Sequence, residues 1–483
     1  MKNRPVVVGI GDIQQKDQFD NLDEALILME KASIKAIKDC ENSEITKYID
    51  EVQIPKGFWK YRDPGKWIAE KNNFPNVTTT VSKIGILQQS LINDACKKII
   101  DGKIKACLIV GGEARYKRIK AQIENKNFIE TELNENPDFY VKPSDDLNIN
   151  IEIENLGTMA VGYYAILESA FRCMKNKDFH EHHKNIANVY SKFSKIAKVN
   201  KMGWLKESFT SEDILNSSKR NPQMAFPYNK LHCTSWNVNQ AAAMILCSEE
   251  LADKLNINAK KRIYPLASSE NNHMIPTLLR QNLFESYGLN LAAKFILDVC
   301  KKNNLKPTYY DLYSCFPAAV QMFAEALRIK NISSTSLTGG MSFAGGPLNS
   351  YVINSTVQLF KKIRENKKNI GIITGVSGMM TKQSFALWSG EPNCQYEFTD
   401  VSLKASKKEI AKELSNKKDG NGKIIGYTVL NDKNSSKKAV IYIEDISGKR
   451  NIIRSYDNEV INRMENNEWV GRNITYKDLQ LAT

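Results

Sequence analysis

The sequence predicts an α/β protein with a duplicated unit, a helical insertion and a small β-rich domain after them. Three observations support this prediction. Short strands rich in β-branched residues alternate with amphipathic helices, which is typical of a largely parallel sheet. One loop–helix–strand unit occurs twice, which indicates an internally duplicated fold. Beyond Pro392 the pattern changes to short alternating strands separated by turn residues.

The first half contains the elements of an α/β unit in order. A short strand at Pro5–Gly11 precedes a helix at Ala25–Ala36, whose apolar residues share one face, and then a strand at Asp50–Ile54. Gln88–Ile100 has helical spacing. Ala106–Gly112 is an apolar run ending in two glycines, as expected of a fully buried strand.

The second copy of the unit lies near the other end of the α/β region. A helical stretch at Tyr351–Ile363 leads into an apolar strand at Ile370–Thr374. When the two copies are aligned, the loop at Ser82–Gly85 falls opposite the loop at Gly346–Asn349. This correspondence supports an internal duplication.

The chain therefore divides into four predicted parts. Residues 1–114 and 227–253 form the N-terminal half, and residues 254–395 form the second half. Residues 115–226 are more helical and more charged, and we expect them to form an insertion over the sheet ends. Residues 396–483 contain short alternating strands and form the additional β-rich domain.

Composition excludes several classes of protein. Hydrophobic residues make up 42% and charged residues 25%, which is the mix of a globular protein. Lys and Arg exceed Asp and Glu by 68 to 54, a net charge of +14, but the excess is mostly scattered Lys. Clustered Arg and interleaved aromatics are missing, so we expect no nucleic-acid partner. No apolar run approaches the ~20 residues that span a membrane.

The nine cysteines and five histidines indicate neither disulfides nor a metal site. The cysteines occur singly, without CxxC or zinc-ligand spacing, so we expect reduced thiols in a cytoplasmic protein. His182 and His183 are adjacent and cannot share a helical face, and no carboxylate–histidine spacing predicts a metal.

Five motifs carry a resemblance to a known family. They are GGMSFAGGP at Gly339–Pro347, YSCF at Tyr313–Phe316, LIVGGEA at Leu108–Ala114, NQAAAMIL at Asn239–Leu246 and TKQS at Thr381–Ser384. The chain resembles the thiolase superfamily over essentially its whole length, and most closely the thiolase-like type 1 group, often labelled acetyl-CoA acetyltransferases. The resemblance implies a duplicated, five-layer αβαβα fold with a helical loop domain and an additional β-rich C-terminal domain.

The resemblance also implies where catalytic groups should lie. Thiolase chemistry needs a thiolate nucleophile, a histidine that activates it, a second proton-transferring thiol and an oxyanion hole. Ser82 stands nearest the nucleophile position, Gly346 replaces the histidine of the Gly-His-Pro loop, and Ser377 replaces the second thiol. Asn354 and Gln383 also stand where many relatives have histidine. These departures argue against thiolysis and Claisen condensation.

The remaining loop, Tyr313-Ser314-Cys315-Phe316, leaves two interpretations open. Tyr313 replaces the Asn or His that orients a water in the oxyanion hole, and its phenol can donate one hydrogen bond. Cys315 stands where one active subgroup also has Cys, which makes it the best-placed thiol in the chain. The alternative is that Cys315 is a small buried residue at the start of a core helix. Ser82 likewise has a structural alternative, as a loop or helix-capping residue.

The insertion offers groups that suit coenzyme A (CoA). Phosphates need Lys or Arg, and pantetheine needs an apolar slot. Candidate residues are Arg115, Arg118, Lys201 and Trp204, with a solvated helix face as the alternative. His232 and His273 are the only imidazoles that we propose as a displaced base.

These observations favour a thiolase-like acyl-CoA acyltransferase of lipid metabolism with degenerate catalytic loops, acting on or binding CoA thioesters. The alternative is a non-catalytic acyl-CoA-binding or accessory protein. A third hypothesis, a nucleic-acid-associated protein, is the weakest. We expect CoA or acyl-CoA as substrate or ligand and no permanently bound cofactor. Thiolases generally dimerise through their sheets, so a homodimer is possible unless the additional domain covers that surface.

Overall fold

The computed structural model describes residues 3–431 and 436–482. The strands are β1 (Pro5–Gln14), β2 (Ile49–Pro55), β3 (Thr78–Ser82), β4 (Ala106–Ala114), β5 (Phe139–Val141), β6 (Gln223–Ala225), β7 (Tyr228–Asn229), β8 (Asn239–Ser248), β9 (Tyr264–Asn271), β10 (Tyr309–Asp311), β11 (Ile370–Ser377), β12 (Lys382–Ser389), β13 (Glu397–Asp400), β14 (Gly420–Asn431), β15 (Lys437–Asp445), β16 (Arg450–Ser455), β17 (Asn473–Lys477) and β18 (Gln480–Leu481). The α-helices are α1 (Ala25–Asp39), α2 (Pro64–Lys71), α3 (Gln88–Ile100), α4 (Arg115–Ile123), α5 (Asn150–Leu156), α6 (Ala160–Met174), α7 (Phe179–Val199), α8 (Ser211–Leu215), α9 (Glu249–Lys254), α10 (Tyr287–Lys302), α11 (Pro317–Ala326), α12 (Tyr351–Glu365), α13 (Ser402–Ser406) and α14 (Asn458–Asn466).

The first sheet has the order β1-β8-β4-β2-β3-β5. Strands β4, β2, β3 and β5 run parallel, while β8 is antiparallel to both β1 and β4. Helix α1 covers the outer face of this sheet. It approaches β1 so closely that a Cβ on Gly11 would lie 2.1 Å from the Ala32 carbonyl oxygen, which is why glycine is required there.

The second sheet has the order β10-β11-β12-β9-β13. Helix α10 packs on its outer face, where the Ser269 hydroxyl on β9 donates to the Ala292 carbonyl at 2.8 Å. Strand β13 follows the predicted boundary at residues 395 and 396, yet it pairs parallel with β9. The second sheet therefore includes a short segment from the predicted C-terminal part.

Helices α3 and α12 lie between the two sheets. Their buried faces form one apolar core with β4 and β8 of the first sheet and β11 and β12 of the second. Phe360 of α12 packs edge-on against Trp388 of β12, with ring centroids 4.7 Å apart. With outer helices on both sides, the layers run α, β, α, β, α, which confirms the duplicated fold predicted from the sequence.

The insertion contributes to a third, β-rich sheet near the C-terminal end. That sheet has the order β15-β16-β18-β17-β14-β6-β7, so β6 and β7 come from near the end of the predicted insertion. Arg172 of α6 is fully buried and joins the insertion to this region. Its guanidinium donates to both carboxylate oxygens of Glu468, at 2.7 and 3.0 Å, and to the Tyr427 hydroxyl at 3.2 Å. The four-part division of the chain remains a proposal.

Membrane-spanning helices were sought throughout the described residues. None of the helices there combines the length and the apolar character needed to cross a bilayer.

Candidate functional site

The loops named by the family resemblance converge between the two sheets. Ser82 ends β3 just before α3, and Cys315 lies just before α11. Gly346 precedes α12, and Ser377 ends β11. Tyr164 of the insertion helix α6 contacts two of these loops. Its hydroxyl hydrogen-bonds with the Gly378 carbonyl and the Met380 amide, each at 3.2 Å, and its ring stacks on Phe316 beside Cys315. We call this meeting place the crevice.

Asp311 at the end of β10 fixes the loop that carries Gly339–Pro347. Its carboxylate accepts hydrogen bonds from the Leu337 and Thr338 amides at 2.7 and 2.9 Å and from the Tyr351 hydroxyl at 3.0 Å. Burial raises the pKa of Asp311, and these hydrogen bonds oppose that effect. A buried carboxylate with several donors rigidly holds the backbone around it.

Tyr313 and Ser314 help to hold neighbouring loops. The Tyr313 amide donates to the Thr374 hydroxyl at 2.8 Å, and its ring packs edge-on against Tyr351, with centroids 5.6 Å apart. The Ser314 hydroxyl accepts from the Met341 amide at 3.0 Å. Burial raises the pKa of the Tyr313 phenol, so this side chain stays protonated and neutral and can act as a hydrogen-bond donor.

Cys315 is buried, and its thiol is protonated at neutral pH. Burial raises its pKa to about 12, although hydrogen bonds from Tyr164 and the Phe316 amide act in the opposite direction. Phe316 stacks on the Tyr164 ring at 4.7 Å. Since the thiolate is the nucleophilic form, Cys315 is poorly suited to attack a thioester in this state.

A carboxylate behind Cys315 was not singled out from the sequence. Glu168 of α6 is completely buried, and it accepts from the Tyr228 hydroxyl at 2.5 Å and from the Gln321 amide at 2.7 and 3.0 Å. It also pairs with His182 at 2.6 Å. Burial raises the pKa of Glu168, but the bonds from His182, Tyr228 and Gln321 outweigh it and lower the pKa to about 2. A glutamate within the mainly apolar helix α6 was the available signal for this residue.

Gly346 occupies a position that is already filled by its neighbours. A Cβ there would lie 2.3 Å from Thr234 Cγ2 and 2.9 Å from Met341 Cε. Thr234 is held in place because its hydroxyl donates to the Cys315 carbonyl at 3.0 Å. The packing around Gly346 therefore leaves no room for a histidine side chain at this position.

Ser82 is buried at 1% exposure, and its hydroxyl has no hydrogen-bond partner. The capping alternative is wrong for this residue, because the residue before α3 is Leu87 and that helix end has no side-chain cap. Buried polar groups without partners are rare and costly. Ser82 is thus one of the buried side-chain hydroxyls that have no partner within the described protein.

Lys382 belongs to the TKQS motif, but it was not predicted as a site residue from the sequence. It is 2% exposed, and its ammonium group donates to the Gly85 carbonyl at 3.1 Å. It pairs with Ser377 across the hairpin of β11 and β12. Burial lowers its pKa, and Asp145 opposes that effect. The sequence signal for this residue was a lysine at the start of β12, a strand that is otherwise mostly apolar and buried.

A short segment after β5 covers the crevice. A Cβ on Gly85 would lie 2.8 Å from Pro143, and one on Gly378 would lie 3.0 Å from Leu147. Strand β5 itself pairs with β3, matching Thr80 with Phe139. The loop of Ser82 and the loop of Ser377 are therefore both roofed by residues 143–147.

The two imidazoles proposed as a displaced base do not fit that role. His232 is buried, its pKa is lowered to about 4 by burial, and its Nδ1 accepts from the Asn229 amide at 3.1 Å. The His273 Nε2 lies 2.9 Å from the Glu409 carbonyl oxygen. Gln383, where relatives have histidine, instead bonds to Asn271 at 2.9 Å. In the described part of the chain, no thiol hydrogen-bonds to an imidazole.

Three of the four residues proposed for CoA lie in or against α4, and the fourth is Lys201. The Arg115 guanidinium lies 3.7 Å from the centre of the Trp236 ring and donates to Asn237 at 2.8 Å. Arg118 pairs with Glu130 at 2.9 Å. Trp204 is 5% exposed and packs edge-on against Tyr116 of α4, whereas Lys201 is exposed. The charged groups of Arg115 and Lys201 are accessible to solvent, whereas the Trp204 ring is buried against Tyr116.

Metal-binding groups were also sought. Within residues 3–431 and 436–482, no three His, Cys, Asp or Glu side chains are grouped so as to hold a metal ion.

Comparisons with known proteins identify the fold. No protein-family model matches the chain, and no curated protein matches it in sequence. Several solved structures match. An acetyl-CoA acetyltransferase from Syntrophomonas wolfei has a TM-score of 0.56 at 15% identity, covering 81% of this chain and 100% of its own. Human mitochondrial 3-ketoacyl-CoA thiolase in complex with CoA has a TM-score of 0.54 at 16% identity, covering 80% of this chain and 98% of its own. The chain has the thiolase fold.

A further match is to a more particular form of that fold. A monomeric SCP2-thiolase-like protein type 1 from Mycobacterium smegmatis has a TM-score of 0.81 at 20% identity. The match covers 100% of this chain and 99% of that one, so it includes the third, β-rich sheet. The resemblance to thiolase-like type 1 proteins drawn from the sequence is thus confirmed at the level of the fold.

Proposed function

We propose that this protein binds CoA thioesters and acts on them without making or breaking carbon–carbon bonds. The packing at Gly346 carries this proposal, since a Cβ there would lie 2.3 Å from Thr234. An imidazole cannot enter at that position to activate a thiol. The raised pKa of Cys315, about 12, supports the same conclusion, because thiolase chemistry needs a thiolate.

CoA is the ligand that the fold and the charges of the insertion favour. One structure with this fold is described as a complex with CoA. Arg115 and Lys201 offer cationic groups for phosphates, whereas Arg118 would first have to leave Glu130. We propose that Arg115 and Lys201 contact the phosphates, and that the acyl end reaches the crevice.

Thermal unfolding with and without CoA tests ligand binding. At a concentration of about 100 times Kd, a ligand adds about 2.7 kcal/mol to the free energy of unfolding. We expect Arg115→Ala and Lys201→Ala to reduce the shift, and the matched control Lys407→Ala, on an exposed part of the chain, to leave it unchanged. If CoA and acetyl-CoA produce no shift with the wild-type protein, the proposal is wrong.

The reaction is tested separately with acetoacetyl-CoA and free CoA. We expect no acetyl-CoA from this pair, because the crevice lacks the thiol–imidazole pair that thiolysis needs. Sustained thiolysis that disappears in Cys315→Ser would contradict this part of the proposal. It would also restore Cys315 as the nucleophile.

A second candidate function is a non-catalytic acyl-CoA-binding or accessory protein. The protonated thiol at Cys315 and the filled position at Gly346 also favour it. Binding of CoA species without any turnover of acyl-CoA would select this candidate. Turnover to free CoA would exclude it.

We further propose that the protein is cytoplasmic and monomeric. All nine cysteines are free thiols, as is usual in a reducing compartment. Strand β5 covers β3 and leaves a strand of only three residues at that edge of the sheet, which offers little backbone for pairing with a second chain. The relative from Mycobacterium smegmatis is likewise described as monomeric.

A further inference from the structure

Two buried polar side chains face the same space from opposite sheets. On β3, Thr80 and Ser82 share one face, and Thr80 donates to Glu51, which is itself held by Lys98 of α3. That face therefore looks toward α3. On β12, Lys382 reaches the Gly85 carbonyl in the loop that leads into α3. Ser82 and Lys382 thus both point into the layer between the sheets, at the N-terminal end of α3.

Within the described residues, the protein leaves the Ser82 hydroxyl without a hydrogen-bond partner and the Lys382 amine without a counter-ion. The Ser82 hydroxyl is buried without a hydrogen-bond partner. The Lys382 amine has the Gly85 carbonyl as its hydrogen-bond acceptor and pairs with no carboxylate among the described residues. Gly85 lies three residues after Ser82, so the amine binds the loop that follows the hydroxyl, without a hydrogen bond to the hydroxyl itself in this closed structure. Burying a hydroxyl without a partner and an amine without a counter-ion costs stability, and the two groups meet at one loop of the crevice.

We propose that Lys382 is the base that activates Ser82 for attack on the carbonyl of a CoA thioester. This inference rests on the proposed function and names the reaction: acyl transfer to Ser82, followed by hydrolysis. The substrate class is acyl-CoA thioesters, and the products are a carboxylic acid and free CoA.

The surroundings of Lys382 suit a base rather than a permanent cation. Burial disfavours the ammonium form and lowers the pKa of Lys382, while Asp145 on the covering segment opposes this effect. A neutral amine can accept the hydroxyl proton of a serine, as in known serine–lysine pairs. The N-terminus of α3 has no side-chain cap, and its helix dipole favours the negative charge that develops on the thioester oxygen.

The reaction balances with water as the only co-reactant. The Ser82 oxygen forms a bond to the carbonyl carbon while the Lys382 amine takes the hydroxyl proton. The carbon–sulfur bond then breaks, and the sulfur leaves as CoA after receiving that proton. Water, deprotonated by the same amine, attacks the Ser82 ester, and the carboxylic acid is released with the hydroxyl restored.

Substrate entry requires the covering segment to move. Pro143 lies over Gly85 and Leu147 lies over Gly378, so the crevice is closed in this structure. Movement of residues 143–147 would expose Ser82 and Lys382 together. It would also remove Asp145 from the neighbourhood of Lys382, which further favours the neutral amine.

Intact-mass spectrometry after mixing with acetyl-CoA or butyryl-CoA tests the proposal. We expect an added mass of one acyl group, located on Ser82 by peptide mapping, together with release of free CoA. Ser82→Ala should abolish the adduct. Lys382→Met should slow acylation by at least about 100-fold, since a general base contributes roughly 10²–10⁴-fold. Lys382→Arg should behave like Lys382→Met, because arginine stays charged.

A matched control separates the role of Lys382 from a general effect of losing a buried amine. Lys367 also has a pKa lowered by burial, to about 8, and its amine also bonds to a main-chain carbonyl, but it follows the far end of α12. Lys367→Met should leave acylation unchanged. Melting temperatures of all variants establish that each is folded.

The outcomes distinguish this inference from the proposed function. If wild-type protein shows no thermal shift with any CoA species, the proposed function fails. If CoA binds but no acyl group appears on Ser82 and no CoA is released, only the present inference is overturned. An adduct on Cys315 or on Lys382 itself, or full acylation in Lys382→Met, would also overturn it.

Discussion

The packing around Gly346 gives a prediction that can be worked out from distances alone. Gly346→Ala places a methyl group 2.3 Å from Thr234 Cγ2 and 2.9 Å from Met341 Cε. Ordinary carbon–carbon contacts are about 3.5–4.0 Å, so Thr234 must move by more than about 1 Å. Met341 can adjust because the contact is with the end of a flexible side chain.

Thr234 cannot move freely, because its hydroxyl donates to the Cys315 carbonyl at 3.0 Å. Overpacking of this kind typically costs about 1–3 kcal/mol. We therefore expect Gly346→Ala to lower the free energy of unfolding by about that amount, measured by urea or guanidinium unfolding.

The rescue variant is Thr234→Ser. It removes the clashing Cγ2 atom and keeps the hydroxyl that bonds to Cys315. In the Thr234→Ser background, Gly346→Ala should cost clearly less than in the wild-type background, and the difference measures the coupling between the two positions. Equal stability of Gly346→Ala and wild type, or an equal cost in both backgrounds, would refute the packing argument.

Three further predictions concern charge, reactivity and assembly. The folded pKa of Glu168, about 2, lies below the unfolded value of about 4.3, so its contribution is complete above the unfolded pKa and is lost as the pH falls toward 2. Glu168→Gln removes one partner of a buried charge pair, so it should lose about 3–5 kcal/mol at pH 7 and progressively less in acid. Urea unfolding at each pH measures this loss, and a loss independent of pH would contradict the argument. Iodoacetamide at pH 8 should label the partly exposed Cys173 well before Cys315, because the Cys315 pKa of about 12 leaves almost no thiolate. Peptide mapping measures the order of labelling, and the reverse order would contradict the conclusion that Cys315 is unreactive. Light scattering should show a monomer, because β5 covers the edge of β3, and a stable dimer at micromolar concentration would refute that reasoning.

Local patterns determined most of the α/β architecture from sequence. The helix predicted at Gln88–Ile100 has those bounds in α3. The strand predicted at Ala106–Gly112 begins at the predicted residue and continues to Ala114 in β4. Helical and strand periodicities depend on neighbours a few residues apart, so they can be recognised without knowing the fold. The duplication was visible for the same reason, as two similar local units. For the charged residues in the insertion, no local pattern predicted which side chains they would pair with.

Tertiary structure decided which polar groups meet in the crevice. Lys382 lies 297 residues from Gly85 in sequence, yet the two are in hydrogen-bond contact. Thr234 fills the space beside Gly346, and the hydroxyl of Ser82 is left without a partner. Contacts of this kind depend on how the two sheets face each other across α3 and α12, which no local pattern encodes. The sequence alone therefore determined the class of fold and the loss of the thiolase histidine, while only the packing of distant strands brought a buried amine to the loop that follows a buried, unpartnered hydroxyl.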